Sequence, residues 1–117
     1  MSTPLTAVIT QSLTLARQSV AVDTQDLANL DTPGYAGARL SWQSALAQAL
    51  SQGPAAVAAV RGTSVIEPGA LSPNGNSVSL TATMSDLTRQ QLLYEVGVQA
   101  LQAEASTDQN VANLQGA

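Results

Sequence analysis

The sequence predicts an all-α protein: long N- and C-terminal helices pair as a coiled-coil-like hairpin, joined by a short middle helix and an irregular loop with short extended pieces. Three observations predict it. Apolar residues recur at alternating three- and four-residue steps near both ends of the chain, whereas the Pro-Gly and Asn-Gly dipeptides are confined to its middle. Charged residues make up only 10% of the chain, against about 25% in ordinary soluble domains. A surface so poor in charge is weakly solvated, which points to a subunit covered by neighbours.

The N-terminal helix is expected over residues 3–31. Ile9, Leu13, Ala16, Val20, Leu27 and Leu30 form one narrow stripe, with polar Asp23 falling on it, and Leu5 extends it one turn toward the start. Pro4 suits a first helical turn, where its missing N–H costs nothing. About 28 residues at 1.5 Å each give a rod of roughly 42 Å.

The helix cannot pass Thr32-Pro33-Gly34-Tyr35. Pro33 sets φ for the second position of a β-turn, Gly34 supplies the positive φ that follows, and Thr32 before the proline is pushed out of the α region. After this turn, residues 32–40, a short helix is expected over 41–52. Trp42, Leu46, Ala49 and Leu50 lie at helical spacing, with Trp42 as a packing anchor, and Gly53-Pro54 ends the helix. Residues 53–78 read as the irregular loop, with Val65-Ile66 as a short extended piece and with turns at Pro68-Gly69 and Asn74-Gly75.

The C-terminal helix is expected over 79–114, with a second seam of Leu80, Met84, Leu87, Gln91, Tyr94, Val98, Leu101 and Ala105. Gly97 inside it marks a close helix approach, since glycine costs about 1 kcal/mol against alanine there. Beyond Ala105 the seam fades into Asp108, Gln109 and Asn110, where fraying is expected. A two-helix hairpin buries little surface, so the whole is one domain, residues 1–117, that needs partners. Each seam serves either as intrachain core or as intersubunit contact.

Composition excludes several classes of function. Four arginines and no lysine against eight acids give a net charge of −4, so no basic stripe exists for nucleic acid or anionic lipid. With no cysteine and no histidine, thiolate chemistry, disulfides and the commonest metal ligands and general base are missing. The carboxylates are scattered in sequence, and the four arginines read as solvated rim charges. The expectation is therefore a protein that is not an enzyme and has no catalytic, cofactor-binding or metal site. Residues 1–16 lack the basic start and solid apolar run of a secretory signal, and residues 40–60 are too polar to span a membrane.

The segment Leu27-Ala28-Asn29-Leu30-Asp31-Thr32-Pro33-Gly34-Tyr35 resembles the signature near the N-terminus of bacterial flagellar rod and hook proteins, most closely the Ala-Asn-x-Asp-Thr-Pro-Gly-Tyr form of the proximal rod proteins. Ser41 to Leu50 is similar to the short helix that follows the turn in FlgB-type members of the flagellar basal-body rod protein family. Glu67-Pro68-Gly69, Asn74-Gly75-Asn76-Ser77-Val78 and Met84 to Leu101, with Tyr94 inside, resemble that family's Pro-Gly loop, Gly-Asn-Asn-Val segment and C-terminal helix. The likeness runs from about residue 10 to residue 103. It departs at Leu30, Ser77 and Ser79, and at Ala36-Gly37, which stand where a basic residue commonly follows Gly-Tyr.

This resemblance implies a structural subunit of the proximal rod, which crosses the periplasm and transmits motor torque to the hook and filament. It also implies export through the flagellar type III gate without a cleaved signal. The implied partners are copies of the chain itself, other rod proteins, the adaptor FliE and the export gate, with no nucleic acid, small-molecule substrate or cofactor. The turn residues Asn29, Asp31, Thr32, Pro33, Gly34 and Tyr35 would set assembly geometry, and Ile9, Leu13, Val20, Leu27, Leu80, Met84, Leu87, Tyr94, Val98 and Leu101 would line the assembly helices. The alternatives are another proximal rod protein of the FlgC type, or an unrelated helical adaptor docking one partner through its amphipathic helices.

Overall fold

The computed structural model describes residues 4–67 and 71–116. The expected Pro68-Gly69 turn and the first residue of the expected N-terminal helix lie outside the described residues. In chain order the elements are α1 (Pro4–Ala28), β1 (Ala38–Ser41), α2 (Gln43–Ala49) continued by a 3-10 turn (Leu50–Gln52), α3 (Pro54–Ala58), β2 (Thr63–Ile66) and α4 (Leu80–Gln115). The protein is mostly helical, and the long N-terminal helix packs along the long C-terminal one. Its extents are 69 × 25 × 14 Å.

The two helices run antiparallel. Thr6 hydrogen-bonds Glu104, a Cβ on Gly97 would sit 2.6 Å from Leu13 Cδ2, and Asp23 and Asp86 flank the same Arg39 nitrogen. The close approach expected at Gly97 is therefore present. Ile9, Ala16 and Asp23 are buried along the predicted stripe of α1, while Leu13, Val20 and Leu27 are half-buried and Leu5 is exposed.

Of the two roles open to the seams, intrachain core holds only in part for α4. In the N-terminal half of α4 the residues facing α1 are polar Thr83, Asp86 and Gln90, all buried, with Leu87 half-buried beside them. Leu80, Met84 and Tyr94 of the predicted seam are largely exposed, while Val98 and Leu101 are half-buried. The apolar periodicity of α4 thus runs beside the contact face, because a stripe of leucines is equally consistent with a surface that faces outward.

The apolar core lies on the other side of α1. Leu15 and Ala16 pack with Trp42, Leu46, Ala49, Val57 and Val60, so α1 is sandwiched between α4 and the small middle unit. Trp42 is the anchor expected from sequence: it is buried, and its Nε1–H donates to Ser19 Oγ at 2.9 Å. Leu50, by contrast, is exposed, because the helix tightens into a 3-10 turn and carries it off the buried face.

The reading of residues 53–78 as irregular throughout is also corrected. Pro54 opens the short helix α3, with Gly53 at φ 100° before it. The extended piece at Val65-Ile66 belongs to β2, which pairs antiparallel with β1 in the register Ala38↔Ile66 to Ser41↔Thr63. Strand β1 also takes residues 38–40 out of what sequence read as turn. A side chain at Gly62, just before β2, would drive into Leu40, with its Cβ 2.6 Å from Leu40 Cγ. Helix α1 ends at Ala28, three residues short of the expected bound. Helix α4 starts on the Ser79 cap, whose Oγ accepts from Ala82 N–H at 3.2 Å, and runs to Gln115, within a residue of the expected bounds.

Candidate functional site

Two of the segments that carry the resemblance, residues 29–35 and 74–78, are hydrogen-bonded to each other. Pro33 and Gly34 are the central residues of a β-turn closed by Tyr35 N–H donating to Thr32 C=O at 3.3 Å, and Gly34 has the expected positive φ of 72°. Gly34 N–H then donates to Asn74 C=O at 2.9 Å, and Ser77 N–H to Tyr35 C=O at 3.0 Å. The contact is glycine on glycine: a Cβ at Gly75, itself at φ 82°, would sit 3.6 Å from Gly34 Cα.

Asn76 is the centre of this clasp. Its buried side chain donates from Nδ2 to Asn29 C=O at 2.7 Å and to Thr32 C=O at 2.6 Å, and its Oδ1 accepts from Val78 N–H at 2.8 Å. The carbonyls freed where α1 ends are thereby satisfied from a segment more than forty residues away. Asn29 adds a local cap, its Nδ2 donating to Gln25 C=O at 2.9 Å and its Oδ1 accepting from Thr32 Oγ at 3.1 Å. Ser77 Oγ accepts from Gly37 N–H at 2.8 Å. Asp31 and Pro33 are exposed, and Asp31 makes no hydrogen bond among the described residues.

Tyr35 leads from the clasp to a buried polar cluster. Its hydroxyl lies 3.4 Å from Asp26 Oδ1, and both Asp26 oxygens accept from Ala38 N–H at 3.2 Å. Burial raises the Asp26 carboxyl above its usual range, only partly offset by those donors, and burial beside Asp26 raises the Tyr35 phenol. Behind them Arg39 on β1 meets three carboxylates: Asp23 at 3.4 Å, Asp86 at 3.3 Å, and Glu67. Burial opposes the guanidinium charge, but Glu67, Asp86 and Asp23 outweigh it and hold Arg39 firmly protonated.

This cluster was not foreseen. Arg39 is an interior bridge between α1, the sheet and α4, where sequence suggested a rim charge, and carboxylates scattered along the chain converge on it. The one signal was Asp23, a lone acid on an apolar helical stripe. The grouping holds no metal-ligand set among the described residues.

The remaining predicted residues sit along the helix pair. Tyr94, with Arg17, Val20, Gln91 and Glu95, lines a shallow groove between α1 and α4. On the face of α4 turned away from α1, Leu92 and Val96 stand one turn apart and are 59% and 54% exposed, and Leu114 further along is 78% exposed. No helix among the described residues is long and apolar enough to cross a membrane. No protein-family model matches the sequence, and no curated protein matches it with significance.

Proposed function

We propose that this chain is a structural, non-enzymatic subunit of the proximal rod of the bacterial flagellar basal body. In this reading it assembles helically with its own copies and with other rod proteins in the periplasm, and it passes motor torque toward the hook and filament. The adaptor FliE and the type III export gate are its further partners, reached without a cleaved signal.

The observation that carries the reading is the clasp. Two of the short segments that resemble the rod family lie some forty residues apart, yet they hydrogen-bond to each other through Gly34, Tyr35, Asn76 and Ser77. A resemblance scattered by chance would have no reason to converge. The exposed Leu92, Val96 and Leu114 give the second support, since an apolar helix face without an intrachain partner suits a subunit covered by neighbours. Contacts of that kind, repeated head to tail without closing, build a helical assembly.

Deleting the gene and imaging basal bodies tests the proposal. The expected result is loss of everything distal to the export gate, and intact rods and hooks in the deletion strain would overturn it. Because the chain has no cysteine, Val96→Cys supplies a unique label. Crosslinking of that label to a neighbouring subunit is expected in assembled basal bodies.

A further inference from the structure

We propose that Asp23 and Asp86 share one proton across the α1–α4 contact, and that this proton is a structural part of the helix pair, making the hairpin a pH-sensitive latch. The inference is independent of the rod assignment.

Geometry supports it. Asp23 is fully buried on α1, Asp86 is nearly so on α4, and the two carboxylates converge on one nitrogen, Arg39 Nη1, at 3.4 and 3.3 Å. Asp23 Oδ2 has no donor among the described residues, and Asp86 Oδ2 lies 3.3 Å from Arg39 Nη1 without hydrogen-bond alignment. Two ionised carboxylates facing each other there would repel and leave buried oxygens unpaired. A single proton between them removes both penalties.

The surrounding charges leave that proton in place. On α1, Asp26 adds negative charge next to Asp23, with the Tyr35 hydroxyl turned toward Asp26. From β1, half-buried Arg39 supplies the cation against both carboxylates, and Glu67 beyond β2 competes for it. On α4, Arg89 reaches Asp86 Oδ1 at 3.5 Å from an exposed position, and Gln90 Nε2 lies equally far from the same oxygen. Around the pair, acids outnumber the interior guanidinium. The proton resides on Asp23, where burial is complete and Asp86 adds to its effect, pushing the carboxyl up to about 8. Asp86 is the anionic partner: burial raises it, but the hydrogen bond from Asp23 and the charge of Arg39 outweigh burial and hold it below its usual value.

The sign follows from proton uptake on folding. Asp23 has a folded value above its unfolded one, so its contribution is complete below about pH 4 and is lost as pH rises through about 8. Asp86 runs the other way and loses its contribution only in acid.

The test is urea unfolding of the full chain at a series of pH values, followed by circular dichroism. Between pH 5 and 7.5 the folding constant should fall by up to about tenfold per pH unit from this one proton, and then level off above pH 8. In Asp23→Asn the amide can donate to Asp86 without titrating, so the proton uptake read from the slope should drop by about one. An unchanged slope in that variant overturns the proposal. Should the variant fail to fold, infrared spectroscopy of the wild-type chain with isotopically labelled aspartate decides. A protonated carboxyl band present at pH 7 and titrating out near pH 8 supports the latch, and its absence at pH 7 overturns it.

Discussion

The two halves of the α1–α4 pair are built on different principles. Near the turn, α1 is covered on both sides: Leu15 and Ala16 face the core around Trp42, while Asp23 and Asp26 face Arg39, Tyr35 and α4. Toward the chain ends, α1 meets α4 through Leu13 against Gly97 and Thr6 against Glu104, while Ala7, Val8 and Gln11 rest on the middle unit, and from Ala105 onward α4 is exposed except at half-buried Asp108. One half is held by interior polar bonds across the helix pair, and the other by a line of helix contact with α4 together with the apolar edge that α1 presents to α3. Helix propensity is sufficient to draw both halves as helices, but only burial makes one of them resist opening.

The contrast can be broken most severely at its anchored end. Trp42→Ala should cost about 3 to 5 kcal/mol in urea unfolding, by opening a cavity beside Leu46 and Val57 and stranding the Ser19 hydroxyl. Asn76→Ala comes next, at roughly 3 kcal/mol by the same measurement, because three backbone groups at Asn29, Thr32 and Val78 lose their buried partner. Gly34→Val should cost about 1 to 2 kcal/mol through its positive φ alone, since nothing crowds a Cβ there, and it should impair motility by misdirecting the turn. Leu92→Ala with Val96→Ala, on the open half, should change the stability of the isolated chain by no more than about 0.5 kcal/mol. Basal-body assembly should nonetheless suffer in that double variant. Hydrogen exchange on the dilute chain sharpens the same comparison, with slow amides over residues 15–26 and 83–90 and fast ones beyond 103.

What the sequence made legible was local. The positive φ at Gly34, the anchor at Trp42, the close approach at Gly97 and the extended Val65-Ile66 all follow from side-chain chemistry within a few positions. Both long helices follow from periodicity. What escaped was decided at a distance. Arg39 finds its carboxylates 16, 28 and 47 positions away, a grouping no local pattern announces. Helix α3 is an alanine-rich stretch whose single buried valine, Val57, gives no period to read. The contact face of α4 was misjudged because Thr83 and Gln90, with no apolar signature, are the residues that face α1.

The antiparallel register has a consequence for any chain that must pass end-first through a narrow opening. Thr6 meets Glu104, 98 positions later, so almost the entire polypeptide has to emerge before the first turns of α1 acquire the surface they pack on. Loop closure over that span cannot be rewarded early. The outermost contacts form last, and their formation reports that the molecule has arrived whole.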